Sequence, residues 1–150
     1  MRAVIQRVSN ASVTIDNKIV SEIAKGLLVL VGIENKDTLE DIVWLSKKIT
    51  NLRIFNDEHG VMNNSLISEH GDAIIVSQFT LQASIKKGNR PSYIKAAKPE
   101  IAIPIYKQFV SQVEKDLQRK VSTGEFGADM KVSFINDGPV TILIDSKRRE

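Results

Sequence analysis

A serine and a threonine at the end of an apolar run are the first groups that could do chemistry. Ser77 and Thr80 lie in the segment SQFTL, which follows the apolar residues 73–76. A hydroxyl at the end of a buried strand can face an open site, but it needs a base to become a nucleophile. The two histidines, His59 and His70, each lie beside a glycine in a polar, turn-rich stretch. The sequence therefore does not favour a Ser-His-Asp triad.

Metal and nucleotide sites are not indicated either. The chain contains no cysteine, and its two histidines match no standard zinc spacing. Asp57 and Glu58 are typical turn residues. The segment KGLLVLVG has two glycines, but not in the arrangement that holds phosphate in P-loop or dinucleotide folds. We expect neither a bound metal nor a cofactor.

Cations are concentrated just after SQFTL. No acidic residue lies between Asp72 and Glu100, whereas residues 84–98, the basic loop, carry five lysines or arginines. Such a surface suits the phosphates of a nucleic-acid backbone, although a solvated lysine-rich loop is the alternative. We predict that its RNA-binding residues are Lys86, Lys87 and Arg90.

The segment INDGPVTILID places Gly138 and Pro139 inside an apolar strand pattern. Proline cannot donate a ladder hydrogen bond, so a Gly-Pro pair in a strand indicates a turn, an edge or a place where the backbone itself is needed.

Composition sets the outer limits of these interpretations. The chain has 150 residues, 42% hydrophobic and 26% charged, with a formal net charge of +3. This balance is typical of one globular domain over residues 1–150. The start MRAVIQRVSN lacks the apolar core of a signal peptide, and no apolar run is long enough to span a membrane. We expect a cytoplasmic protein that does not bind membranes.

The apolar pattern predicts a mixed, mainly antiparallel sheet with two helices. The run LLVLVGI (27–33) is continuously apolar, as expected of a central strand covered on both faces. Helical spacing begins after Asp37 or Thr38 and again near Glu100. We expect an α/β chain of α+β character, with both helices on one side of the sheets and three layers in all. The predicted strands are 3–8, 11–15, 19–23, 27–33, 52–55, 73–81, 131–136 and 140–145, and the second helix is 100–121.

Five motifs are spread along the chain from Met1 to about Ile144: MRAVIQRV, SQFTL, KGNRPSY, FGADM and NDGPVT. In this order and at this spacing they resemble the D-aminoacyl-tRNA deacylases, also called D-tyrosyl-tRNA deacylases. Two positions depart from the family pattern: Gln82 stands where tyrosine is frequent, and Tyr93 where phenylalanine is common.

The resemblance implies a role for the Gly-Pro pair. In the family this bond is cis, and its loop reaches across a homodimer interface into the partner's active site. The carbonyl oxygens of Gly138 and Pro139 would lie near the substrate's α-carbon, where an L-residue clashes and a D-residue or glycine does not. Arg7 matches an arginine that steadies this loop, and Met130 matches a residue near the pocket.

The resemblance also implies hydrolysis of D-aminoacyl-tRNA, and of mischarged glycyl-tRNA, without a side-chain base. The amides of Phe79 and Thr80 would hold the substrate carbonyl, Ser77 and Gln78 would shape the site, and a ribose hydroxyl of the tRNA would assist water. An aminoacyl ester is already activated, so positioning and oxyanion stabilisation can supply much of the rate. Two alternatives remain: a non-catalytic RNA-binding module and an esterase with Thr80 as nucleophile.

Overall fold

One six-stranded mixed sheet, a two-stranded hairpin and two helices make up the described part of the chain, residues 1–86 and 88–149 of a computed structural model. The strands are β1 Arg2–Ile15, β2 Lys18–Ile23, β3 Gly26–Gly32, β4 Phe55–Asn56, β5 Met62–Asn64, β6 Asp72–Ser77, β7 Ser122–Thr123 and β8 Lys131–Asp145. The helices are α1 Leu39–Asn51 and α2 Pro99–Leu117, and a short 3₁₀ turn spans Phe79–Gln82.

The long strand β1 organises the sheet. Along one side it pairs antiparallel with β3 near its start and with β2 near its end. Along its other side it pairs antiparallel with β8 over almost its whole length. On the far side of β3, β6 and then β7 are added in parallel. The predicted mixed, mainly antiparallel architecture with two helices is confirmed.

Two apolar clusters lie on opposite faces of β3 and β6. The larger joins alternate sheet residues such as Ala3, Val29 and Ile75 to the apolar faces of α1 and α2. The smaller joins the intervening residues of β3 and β6 to the second half of β1, including Val13. Register shifts in the β1–β8 ladder between Gln6 and Asn10 mark the point where β1 passes from one cluster to the other. The chain therefore has three layers. The helices form the first and the central strands β3 and β6 the second. The third consists of the second half of β1 with β2 and the first half of β8.

Several element boundaries differ from the prediction. Residues 3–8 and 11–15 belong to one strand, as do 131–136 and 140–145, because bulges continue the ladder where two breaks were predicted. Residues 73–81 are a strand only to Ser77, and residues 52–55 contribute only Phe55 to a strand. Helix α2 ends at Leu117, where Gln118 takes a left-handed conformation, φ 55°.

A buried polar cluster ties the start of α1 to the residues that follow β8. The Asp41 carboxylate accepts from the Thr38 amide at 2.8 Å, from the Ser146 hydroxyl at 2.7 Å and from Lys147 Nζ at 2.6 Å. Burial acts to raise the pKa of Asp41, but these hydrogen bonds outweigh it and hold the pKa well below its usual value.

Within the described ranges, neither helix has the length and apolar character needed to cross a membrane.

Candidate functional site

The SQFTL segment changes direction at the end of β6. The Gln78 amide still donates to the Val31 carbonyl at 2.7 Å, which continues the pairing of β6 with β3. The 3₁₀ turn then begins at Phe79, so residues 79–81 leave the sheet. Ser77 and Gln78 lie before the turn, and Phe79 and Thr80 form its first two residues.

Gly32 allows this turn to lie directly against β3. A Cβ at Gly32 would be 2.8 Å from the Gln78 carbonyl oxygen and 2.9 Å from Leu81 Cβ, closer than side chains normally approach. The buried Gln82 side chain fixes the end of the turn by donating Nε2 to the Gly32 carbonyl at 3.1 Å. A glycine and a buried amide therefore set the position of the turn.

The first two amides of the turn have no acceptor among the described residues. Neither the Phe79 nor the Thr80 N–H donates to a backbone or side-chain oxygen there. The Thr80 hydroxyl accepts from Gln78 Nε2 at 2.6 Å, and within the same ranges no carboxylate or imidazole bonds to it. The turn thus offers free N–H donors, whereas its hydroxyl lacks a base.

A cavity of about 300 Å³ opens beside the turn. Gln78 and Asp129 supply polar groups at this mostly apolar site. Of the predicted site residues, Ser77, Gln78, Phe79 and Met130 line the cavity. The remaining lining residues are Val31, Ile33, Val76, Ala97, Ala102, Phe126, Gly127, Ala128, Asp129 and Val132.

The far wall of the cavity is held by α2 and by Gly124. Tyr106 lies edge-on to Phe126 at a centroid distance of 5.9 Å and donates its hydroxyl to the Ile75 carbonyl at 2.8 Å. Burial raises the pKa of Tyr106 to about 12, so this hydroxyl stays a donor at neutral pH. A Cβ on Gly124 would overlap the Met130 sulfur, so the glycine leaves room for that side chain.

The Gly138 loop, residues 136–140, is a turn-like interruption of β8. The Gly138-Pro139 bond is cis, and Gly138 has φ 140°. The Asn136 side chain spans the loop: Oδ1 accepts from the Val140 amide at 2.9 Å, and Nδ2 donates to the Thr141 hydroxyl at 2.9 Å.

Arg7 supports the Gly138 loop from inside. Its side chain is buried, and Nε donates to the Asp137 carbonyl at 2.9 Å. A second nitrogen, Nη2, is 3.1 Å from the point where a Cβ on Gly138 would lie. The guanidinium therefore lies directly behind Gly138.

Within one chain the Gly138 loop is far from the Phe79 turn. The loop lies level with Arg7, whereas Ser77 pairs with Val31 and so lies level with Ala3. Three strand spacings and four residues along the strands separate them, which is about 20 Å. The predicted site residues thus form two groups that a single chain does not bring together.

Thr80 faces a second opening rather than the 300 Å³ cavity. An open groove of about 850 Å³ runs between the turn and the outer strand β8, with Thr80 and Leu81 on one side and Leu143 on the other. Arg2 crosses it, pairing with Asp145 at 2.8 Å and donating to the Leu81 carbonyl at 3.1 Å.

The basic loop returns to the site at Tyr93. Reciprocal amide-to-carbonyl bonds between Ser84 and Ser92, at 2.8 and 2.9 Å, close the first part of the loop. Tyr93 meets Phe79 edge-on at 5.0 Å. Lys86 and Arg90 are exposed on this loop, and Lys87 lies outside the described residues.

The two histidines are not part of this site. His59 and His70 are both exposed, near the β4–β5 hairpin and before β6. In residues 1–86 and 88–149 no three histidine or acidic side chains are grouped so that they could hold a metal ion.

Sequence reasoning missed part of the cavity wall and of the loop support. Phe126 and Asp129 lie in the quoted motif FGADM, so a signal existed, and Asn136 likewise lies in NDGPVT. Ala97 and Ala102 gave no signal, because small residues near a helix start are common and only the fold brings them to the cavity.

Comparisons with known proteins agree with the resemblance seen in the sequence motifs. A family model described as D-Tyr-tRNA(Tyr) deacylase matches residues 4–145. A relative from Flavobacterium psychrophilum named D-aminoacyl-tRNA deacylase is 70% identical over 150 residues, the whole of both chains. A solved structure described as c-Myc DNA Unwinding Element Binding Protein is 41% identical, with TM-score 0.93 over 97% of this chain and 98% of that one. Another, described as a probable eukaryotic D-amino acid tRNA deacylase, shares the fold at 17% identity, with TM-score 0.81 over 95% and 97% of the two chains.

Proposed function

The chain belongs to the D-Tyr-tRNA(Tyr) deacylase family, and from that premise we propose how its residues carry out the reaction. It is a hydrolase that acts on D-aminoacyl-tRNA, in the quality control of translation. Membership of an enzyme family disfavours the alternative of a non-catalytic RNA-binding module. The finer assignments concern the oxyanion donors, the stereochemical selection and the assembly.

The amides of Phe79 and Thr80 bind the carbonyl oxygen of the ester. A water oxygen attacks the carbonyl carbon, and the tetrahedral intermediate places negative charge on the oxygen that the two N–H groups hold. The carbon–oxygen bond to the ribose then breaks, and the proton from water ends on the leaving ribose oxygen. A neighbouring hydroxyl of the terminal ribose assists the attack. The observation that carries this proposal is the pair of free amides at the start of the turn, the first of which belongs to Phe79 in the cavity wall.

Stereochemical selection comes from the Gly138 loop of a second subunit. Because the loop lies about 20 Å from the turn in its own chain, it meets a site only by entering the partner's. The open groove beside Thr80 and the exposed Leu143 offer a surface for such an assembly. Main-chain oxygens of Gly138 and Pro139 then exclude a side chain in the L position, while glycine passes.

RNA contacts come from the basic loop, through Lys86, Lys87 and Arg90. The edge-on contact of Tyr93 with Phe79 supports this assignment, because it joins the loop to the proposed oxyanion donors. Binding of the phosphate backbone there brings the aminoacylated 3′ end to the cavity.

Deacylation of matched D-, L- and glycyl-tRNA by the purified protein tests the proposal. We expect rapid hydrolysis of the D-substrate, measurable hydrolysis of glycyl-tRNA and rejection of the L-substrate. Equal rates with D- and L-aminoacyl-tRNA would contradict the proposed selection, even if hydrolysis itself were confirmed.

A further inference from the structure

Arg7 contacts the β4–β5 hairpin as well as the Gly138 loop. Its Nη1 donates to the Ile54 carbonyl at 2.6 Å and to Oδ1 of Asn56 at 3.3 Å. Its Nε donates to the Asp137 carbonyl on the opposite side. One guanidinium therefore spans from the hairpin to the loop.

The hairpin is anchored in the core through Phe55, whereas Gly138 in the loop has the Arg7 guanidinium behind it. Phe55 is buried in the larger apolar cluster, so the residues on either side of it have fixed positions relative to the core. The loop belongs to β8, which among the described strands pairs with β1 alone. The loop is therefore supported by the Arg7 guanidinium, by the Asn136 side chain and by the packing of Val140, and of these three Arg7 alone connects it to the hairpin.

Asn56 suits the task of orienting Arg7. An arginine has donors and no acceptor, so the amide of Asn56 must present its oxygen to Nη1. Without that oxygen, Nη1 keeps the acceptor at Ile54 and Nε keeps the acceptor at Asp137, so the hairpin opposes rotation of the guanidinium with one hydrogen bond instead of two. Nη2 lies against Gly138, so rotation moves the group that supports the loop.

We propose that Asn56 is a positioning residue for stereochemical selection and acts through Arg7 on the Gly138 loop. This inference rests on the proposed function, because its effect is on the discrimination between D- and L-aminoacyl-tRNA. Asn56 itself is exposed on the hairpin and does not line the cavity. Asn56 contributes by accepting a hydrogen bond that fixes the orientation of the Arg7 guanidinium.

The test compares kcat/KM for D- and L-aminoacyl-tRNA in three variants. Asn56→Ala removes the acceptor, and Asn56→Asp keeps one. Asn63→Ala is the matched control, because it removes the same side chain from the same hairpin at a position that contacts Arg53 instead. Melting temperatures of all three are measured in parallel.

We expect Asn56→Ala to lower the D-over-L ratio by about three- to tenfold, the size expected for loss of one ordinary, partly buried hydrogen bond. Asn56→Asp restores the ratio to within about twofold of wild type, and Asn63→Ala leaves it unchanged. A wild-type ratio in Asn56→Ala overturns this inference alone, as does an equal fall in Asn63→Ala. A wild-type protein that does not distinguish D from L overturns the proposed selection itself, and this inference with it.

Discussion

Gly138 is the main-chain position on which the proposed specificity depends. It has φ 140°, a conformation that side-chain-bearing residues rarely adopt. An alanine Cβ there would lie 2.8 Å from Val140 Cγ2, 2.9 Å from the Val140 amide nitrogen and 3.1 Å from Arg7 Nη2. Two of these neighbours are fixed, because one is backbone and one is a buried guanidinium. The loop itself must therefore move.

We predict that Gly138→Ala lowers D-aminoacyl-tRNA deacylation by about a hundredfold, since misplacement by about 1 Å is enough for such a loss. The control is Gly60→Ala, which also has a positive φ, 76°, but whose Cβ would meet no atom within 4 Å. Gly60→Ala should lose about 1 kcal/mol of stability and keep its activity. Single-turnover rates and denaturant melts measure both effects, and an active Gly138→Ala would contradict the role of the loop.

Replacing Thr80 distinguishes catalysis by main-chain amides from catalysis by a Thr80 nucleophile. Its amide is one of the two proposed oxyanion donors, and its hydroxyl accepts from Gln78 Nε2 with no base bonded to it in the described chain. We predict that Thr80→Ala retains deacylation within about tenfold of wild type, whereas removal of a true nucleophile costs about 10⁴-fold or more. Mass spectrometry of the stopped reaction is the second readout: an acyl group on Thr80 would establish the nucleophile scheme instead.

At the scale of elements, periodicity predicted the helices and the central strand well. The helical spacing after Thr38 corresponds to α1, and LLVLVGI corresponds to β3, because burial against neighbours requires those patterns. The end of β6 at Ser77 was not predictable, because the apolar pattern continues through Phe79 and Leu81 while the turn depends on contact with Gly32. The cavity likewise depends on long-range packing of residues 126–130; the motif FGADM marks this segment, but no local pattern predicts where it packs.

The basic loop is the element whose charge can be tested separately from chemistry. We predict that the double variant Lys86→Gln with Arg90→Gln weakens tRNA binding and reduces the slope of log affinity against log salt by about 0.7 to 0.9 for each phosphate that the loop no longer neutralises. The D-over-L ratio should not change, because the groups proposed to exclude the L-residue lie in the Gly138 loop and not in the basic loop. Binding is measured by filter retention or fluorescence across a salt series.

Lys107→Gln with Lys115→Gln on the exposed face of α2 is the matched control for net charge. If this pair reduces the salt slope as much as the loop variant does, the effect is one of overall charge and the loop assignment is wrong.

For the whole molecule, assembly is the property on which the proposed site depends. β8 leaves Ile135 and Leu143 exposed on an outer strand, 58% and 67% respectively, which suits a second copy related by a twofold axis. We predict a homodimer by sedimentation. A fully active monomer would contradict it.

Subunit mixing then tests whether the Gly138 loop acts on the partner. Gly138→Ala and Met130→Trp each disable one half of a shared site, the loop or the cavity. If the halves come from different subunits, an equal mixture regains roughly a quarter of wild-type activity, since about half of the dimers are mixed and each has one intact site. If both halves come from one subunit, mixing restores nothing.

Acid stability is a second property of the whole molecule. The pKa of Asp41 in the folded protein lies below its unfolded value of about 4, so its contribution to stability is present above that pH and is lost as the pH falls further. We predict that the free energy of unfolding of wild type falls more steeply between about pH 7 and pH 3 than that of Asp41→Asn. Asp16→Asn, the same substitution at an exposed turn, is the control for the loss of one carboxylate. Parallel curves for wild type and Asp41→Asn would show that the hydrogen bonds of Asp41 to Ser146 and Lys147 do not make stability depend on pH.

A site built from main-chain amides and carbonyls should respond to mutation differently from a site built from side chains. Replacing Phe79 or Thr80 by any residue except proline changes a side chain and leaves the N–H in place, so proline alone deletes a proposed oxyanion donor directly. Other harmful changes must displace the backbone, through Gly32 beneath the turn or through Arg7 behind the loop. In a saturation screen, we therefore expect most substitutions at the glycines and at the buried polar side chains that support the backbone to abolish activity. Substitutions of the side chains that face the substrate should be tolerated more often.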